Sequence, residues 1–275
     1  MDEILVYGSF DDVRALKMRF LEEAARLGPL TVWLWSDETI QAVTGKPPRF
    51  PVAERQYFLE AVRYVQRVIV AKGQTNPHAL PAEAARFGPR ATWAVLETEL
   101  TPDHPAWCAA HGVPCQVIAT GGLPEFPPAP AMDLQGTPAR KKVLVTGCYD
   151  WLHSGHVRFF EEASAYGDLY VVVGNDANVR NLKGEGHPLF PQDLRRYMAG
   201  AIRFVHQALI TSGWGWMDAE PEVVRLRPDI YLVNEDGDRP EKQAFCSRHG
   251  LEYVVLKRLP RPGLQARSST DLRGF

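Results

Sequence analysis

The 275-residue chain contains no apolar run that approaches the roughly 18 residues needed to cross a bilayer, so a membrane-spanning helix is not expected. The opening residues, MDEILVYGSF, lack a basic stretch followed by an apolar one, which argues against a signal peptide. Its four cysteines (Cys108, Cys115, Cys148 and Cys246) are scattered without CxxC spacing, against both a zinc knuckle and a disulfide scaffold. Charge of one sign is also missing. A formal net charge of −2 gives no bulk electrostatic case for nucleic acid or an acidic membrane surface, although local basic clusters can still take phosphate. These absences together leave a soluble globular protein, expected in the reducing cytoplasm.

What is present is a long internal repeat. ILVYGSFDDVRALKMRFLEEAARLG matches VLVTGCYDWLHSGHVRFFEEASAYG about 139 residues later, and RFPVAERQYFLEAVRYVQRVIV matches LFPQDLRRYMAGAIRFVHQALI at 140. Matches over a hundred residues at one offset indicate a duplicated domain rather than a short-period solenoid. Between the copies lies GGLPEFPPAPAMDLQGTPARKK, rich in Pro and Gly. The expected organisation is a first domain over 1–122, a linker over 123–140 and a second domain over 141–275.

In the second copy, short apolar runs (143–147, 169–174, 205–210, 229–234 and the stretch EYVVLK) alternate with segments of helical periodicity. That alternation predicts βαβ units and an α/β fold with a parallel sheet flanked by helices. Ligands on such sheets bind beyond the C-terminal strand ends, where the strand order switches. GCYDWLHSGH (147–156) falls at one of those ends, between the first strand and the first helix. Gly147 permits a tight turn with close backbone approach to a phosphate. His153 and His156 fall at the start of the next helix, where unsatisfied N–H groups favour an anion, and Gly155 between them gives a substrate clearance. Two imidazoles so placed can stabilise charge on a transferring phosphoryl group. They can also be ordinary surface or helix-capping residues.

GCYDWLHSGH resembles the G-x-[FY]-D-x-x-H-x-G-H signature of the cytidylyltransferase-type nucleotidyltransferases, and the resemblance extends over 141–275 and, weakened, over 3–118. It implies two tandem Rossmann-like nucleotidyltransferase domains. It also implies an enzyme that binds CTP or ATP with Mg²⁺ and transfers a nucleoside monophosphate to a phosphorylated small molecule, expelling pyrophosphate. His153, His156 and Lys183 take the catalytic positions. Gly147, Cys148, Tyr149, Asp150 and Gly155 form the nucleotide-binding turn. Lys183, in VGNDANVRNLKG, corresponds to a family lysine on a mobile loop. Arg195 falls in the register of a family phosphate-binding segment, with Arg203 eight residues on; both recur in the first copy as Arg55 and Arg63, which suits a role in the fold equally well. ARSSTDLR resembles the family segment whose hydroxyls hold the triphosphate, and so assigns Ser268, Ser269 and Thr270, with Arg258, Arg261 and Arg267 nearby. Those three hydroxyl residues can equally be a helix cap. Glu235, Asp236 and Asp238, after a strand, are candidates for the acceptor or base, as is Arg258. Trp214 and Trp216 offer an apolar wall or a cation–π face.

The first copy has Arg14, Leu16 and Lys17 where the second has His153, Gly155 and His156, and Trp35 where the second has Gly174. It is expected to fold without transferring nucleotides, replacing a partner subunit in an intramolecular pseudo-dimer, with further homo-oligomers possible. Arg14 and Lys17 are either surface replacements or a regulatory anion site. The tandem arrangement is similar to that of the ethanolamine-phosphate cytidylyltransferases, but here only the second half carries the intact motif. The rivals are an adenylyltransferase of the same fold and a non-catalytic nucleotide sensor or scaffold.

Overall fold

The structure, a computed structural model, describes residues 2–73, 76–121, 123, 126–269 and 272. The chain divides into two compact units, 1–125 and 126–275. In the first, strands β1 (Glu3–Gly8), β2 (Leu30–Trp35), β3 (Arg67–Ala71), β4 (Ala91–Leu96) and β5 (Cys115–Ile118) form one parallel sheet in the order β3-β2-β1-β4-β5. Helices α1 (Ala15–Leu27), α2 (Asp37–Thr44), α3 (Val52–Glu60), α4 (Ala82–Ala85) and α5 (Asp103–His111) make the connections.

The second unit repeats the plan. Strands β6 (Lys142–Gly147), β7 (Asp168–Val173), β8 (Val205–Ile210), β9 (Ile230–Asn234) and β10 (Glu252–Leu256) run in the order β10-β9-β6-β7-β8. The helices are α6 (Ser154–Ser164), α7 (Asp176–Lys183), α8 (Gln192–Gly200), α9 (Glu220–Leu226) and α10 (Pro240–His249). Both units are therefore Rossmann-like α/β sheets of one topology. Strands covered on both faces need apolar residues throughout, and all six residues of β7 are buried. Among the described residues no helix is long and apolar enough to cross a membrane.

The register explains where a cleft opens. β6 pairs with β7 along its whole length, from Lys142↔Asp168 to Gly147↔Val173. With β9 it pairs only at Val143↔Ile230 and Leu144↔Tyr231. Beyond Leu144 the two strands part, at the point where the order of the sheet reverses. β1 and β4 part in the same way after Leu5↔Trp93.

A buried arginine ties each cleft's floor together. Arg195, on α8, donates from Nε to the Phe190 carbonyl (2.8 Å), from one terminal nitrogen to Cys148 O (2.6 Å), and from the other to Gly174 O and Asp176 Oδ1 (both 2.7 Å). Arg55 in the first unit reaches the matching positions: Phe50 O (2.8 Å), Ser9 O (2.7 Å), Trp35 O (2.9 Å) and Asp37 Oδ1 (2.6 Å). The nucleotide-binding expectation for Arg195 is thus corrected. The side chain is 1% exposed and spends its donors on carbonyls at the ends of β6 and β7, which would otherwise be buried without partners. Asp150 is likewise a frame residue. It accepts from the Leu189 and Phe190 amides (2.8 and 3.0 Å), as Asp11 does from Arg49 and Phe50 (2.8 and 2.9 Å).

The Pro-rich stretch before β6 lies along the second sheet. Asp133 N donates to Gln207 Oε1 (2.8 Å), Gln207 Nε2 to Ala131 O (2.7 Å), and the Tyr170 hydroxyl to Asp133 O (2.9 Å).

Arg195→Leu is expected to destabilise the ligand-free protein by about 3–5 kcal/mol, because it removes one side of a buried charged network. Arg55→Leu should do the same to the first unit. Urea unfolding reads both; a ligand-free midpoint unchanged by Arg195→Leu would restore that residue to the list of nucleotide contacts.

Candidate active site

The cleft at the β6–β9 switch is a cavity of about 250 Å³, walled in part by Gly147, His153, Gly155, His156, Lys183 and Arg258. A neighbouring hollow of about 230 Å³ shares Gly155 and Arg258 and adds Arg267 and Ser268. The turn after β6 is shaped by Tyr149, which sits at a left-handed φ of 51° and folds its ring back over Gly147. A Cβ on Gly147 would come within 2.8 Å of that ring, so this glycine makes room for an aromatic side chain rather than for a phosphate. Tyr149 itself is buried edge-on to His156 and Phe160, with ring centroids 5.3 and 5.2 Å away. It supports the wall and is itself among the residues that line the cavity. Cys148 keeps a raised thiol pKa, first through burial, and gives its carbonyl to Arg195.

His153 caps α6: its Nδ1 accepts from Gly155 N–H at 3.1 Å. A neutral imidazole that accepts at Nδ1 carries its proton on Nε2. That Nε2 is buried and has no hydrogen-bond partner. The His156 ring lies 3.9 Å away, centroid to centroid, and its Nδ1 is also buried and unpartnered. Gly155 is required by this pair, since a Cβ there would stand 2.9 Å from the His153 ring. Burial, then the charges of Arg258 and Arg267, push His153 down to about 3. Burial and then His153 hold His156 well below the ordinary histidine range. Both rings are therefore neutral at pH 7, and the ends of long cations ring them.

Lys183 lies in the cleft wall as the last residue of α7, a helix capped by the Asn175 side chain, and not on the loop that was expected. Arg258 is held from three sides: its amide donates to Glu235 (3.2 Å), its guanidinium pairs with Asp236 (2.5 Å), and it reaches Arg267 O (3.2 Å). Glu235 and Asp236 thus position Arg258, and Asp236 also stands on the cavity wall. Asp238 takes hydrogen bonds from Gln243 and Tyr253 (3.0 and 2.9 Å). Ser269 lines the first cavity and donates to Trp151 O (3.3 Å), and Ser268 lines the second; Thr270 lies outside the described residues. Trp214 and Trp216 are 63% and 60% exposed and line neither hollow, and Arg239 stacks on Trp216 at 4.9 Å. Sequence reasoning missed Lys242, which lines the cavity from the first turn of α10 and donates to Gly237 O (3.1 Å). Its burial lowers its pKa. The only cue was that α10 starts just beyond the end of β9. His187 and Asn234, also on the wall, carried no motif signal.

Among the described residues no group of three His, Cys, Asp or Glu side chains is placed to hold a metal. Asp150 and Asp236, the carboxylates of the cleft, are already engaged with backbone amides and with Arg258. The described residues thus offer no protein cage for Mg²⁺.

Folded His153 binds fewer protons than its unfolded counterpart between pH 6.5 and about 3, and folded His156 likewise binds fewer below pH 6.5. Stability should accordingly fall as pH drops from 6.5, by at most about 1.4 kcal/mol per pH unit for each ring. The urea midpoint between pH 7 and pH 5, compared with a His153→Gln/His156→Gln variant, measures this. A slope that the double variant keeps in full would show that the two rings are not its source.

The Cytidylyltransferase-like family model matches residues 144–273. Over 137 residues the chain is 34% identical to an FAD synthase of Aciduliprofundum boonei, covering 48% of this chain and 84% of that one. It is 36% identical over 104 residues to the bifunctional protein HldE of Campylobacter curvus, covering 37% of this chain but only 21% of that longer protein. A solved structure, the lipopolysaccharide core biosynthesis protein of Thermoplasma volcanium GSS1, is 25% identical over 44% of this chain and 98% of that one, with a TM-score of 0.39. The matched residues include the whole histidine turn, both hollows and the arginine clamp, and on them the chain belongs to the cytidylyltransferase-like nucleotidyltransferases.

Proposed function

We propose that the second unit transfers a nucleoside monophosphate from a nucleoside triphosphate to a phosphorylated small alcohol, sugar or polyol. The observation that carries this reading is the pair of buried, neutral imidazoles with unpartnered nitrogens, set at a helix N-terminus and surrounded by Lys183, Lys242 and Arg258. An acceptor phosphate oxygen attacks the α-phosphorus in line. The new P–O bond forms as the bond to the β-phosphate oxygen breaks, and pyrophosphate leaves with the electron pair. No proton needs to move in that step, which suits rings that are neutral and not acid–base catalysts. His153 donates from Nε2 to a phosphate oxygen, and the dry pocket strengthens that hydrogen bond as charge builds up. Lys183 and Arg258 neutralise the triphosphate. With no cage among the described residues, Mg²⁺ would be held by the triphosphate itself and would add to the charge neutralisation that Lys183 and Arg258 supply.

CTP is the base donor proposed first. The similarity to FAD synthase over 84% of that protein's length favours a second reading with ATP, since its named product contains adenine. The first unit does not transfer nucleotides: Arg14 pairs with Asp12 (2.6 Å) and Lys17 with Glu99, so the cations in the histidine positions are already neutralised. Leu16, in the place of Gly155, does not block the first unit's cleft. Leu16 is 41% exposed and is not among the cavity's described wall residues.

Pyrophosphate release with CTP and with ATP, against a panel of phosphorylated acceptors, tests the reaction. His156→Ala should lower turnover by at least about 100-fold, whereas Arg14→Ala should leave it unchanged. A chain that binds either triphosphate yet releases no pyrophosphate with any acceptor would be a sensor and not a transferase.

A further inference from the structure

The first unit holds a cavity of about 350 Å³ at its own switch point, between the ends of β1 and β4. It is the positional twin of the second unit's cleft, with a different lining. Tyr7 stands where the second unit has Thr146, and Trp35 where it has Gly174. Phe10, Phe20, Trp93 and His104 complete a wall of rings. Tyr7 and Trp35 lie 5.6 Å apart, and Trp93 and His104 4.8 Å apart, centroid to centroid.

The lining selects among ligands. An anion finds the cation of this wall, Lys17, already paired with Glu99. A small organic cation meets rings that already face one, since the Lys17 ammonium sits 5.8 Å from the centres of both Phe10 and Phe20. An aliphatic ligand would use none of the ring faces that Tyr7 and Trp35 add to this wall. A neutral planar heterocycle meets each condition, because it stacks on those aromatic walls and needs no cation.

We infer that this cavity is a second ligand site, selective for a nucleobase carried without phosphate, that is, a free nucleoside. The frame common to the two units supplies the cleft. The exchange of small residues for Tyr7 and Trp35, with the pairing of Lys17, turns it from charge recognition to ring recognition. This assignment does not depend on the reaction proposed for the second unit.

Calorimetric titration of the full chain with adenosine and with cytidine tests it. One of the two should bind with one site per chain. Thr98→Trp, a change at an exposed wall position, should weaken that binding by about tenfold or more by filling the stacking space. Trp35→Leu removes a stacking face from the wall and should weaken it about tenfold; its urea midpoint reports that the unit still folds. His156→Ala should leave nucleoside binding as it is. Three results would overturn the inference: no titration by either nucleoside, binding that His156→Ala removes and Thr98→Trp preserves, or AMP binding more tightly than adenosine at the site that Thr98→Trp closes.

Discussion

One guanidinium per unit holds the architecture open. Parallel strands β6 and β7 end side by side, and their last carbonyls point toward a cleft that must hold a charged ligand without collapsing. Arg195 gathers those carbonyls, the N-terminal carboxylate of α7 and the approach to α8 into one network. Every later feature of the site hangs from it. The carbonyl of Cys148 is fixed, so Tyr149 is set at its left-handed φ; the Tyr149 ring then backs His156, and His156 lies against His153. Arg55 performs the same work on the same backbone positions in the first unit, where no histidines follow. The clamp therefore belongs to the fold, and the histidines, present in one unit only, to the proposed chemistry.

That division accounts for what the sequence disclosed. The duplication, the strand–helix alternation and the position of GCYDWLHSGH were legible because each depends on local spacing: apolar runs of buried strands, or a glycine-bounded turn beside a helix start. The pairing of Arg195 with Arg55 was visible too, but its meaning was not. An arginine that binds phosphate and an arginine that binds three carbonyls have the same letter. Only the register of β6 against β7 shows that the carbonyls lie within reach. The contacts of Asp150 and Tyr149 were hidden for the same reason. Both line the cleft, and both also shape the turn that carries the motif.

The acceptor edge was less legible still. Glu235 and Asp236 read as a carboxylate pair open to a ligand, yet they spend themselves on Arg258, which arrives from beyond β10 more than twenty residues later. Lys242 carried no signal because nothing in its helix marks the side that faces β9. Contacts between segments distant in sequence set both cases, and a single sequence records them only as scattered charges. Lys183 was placed correctly in the cleft but on the wrong kind of backbone. Its helix is started by Asn175, whose side chain accepts from Asn178, just as Ser36 starts α2 by accepting from Thr39.

The two helix starts also show why losing the histidines was not a simple deletion. A helix N-terminus carries positive partial charge, which disfavours a fixed cation by about 0.3–1 kcal/mol near the surface. His153 and His156 avoid that penalty because burial keeps both rings neutral. Arg14 and Lys17 put cationic side chains there instead, and Asp12 and Glu99 pair with them. The first unit's exchange of imidazole for permanent charge is thus complete only with its two acidic partners. Once those pairs exist, the local field that would draw a triphosphate is cancelled, and the aromatic walls are left to decide what the cavity holds.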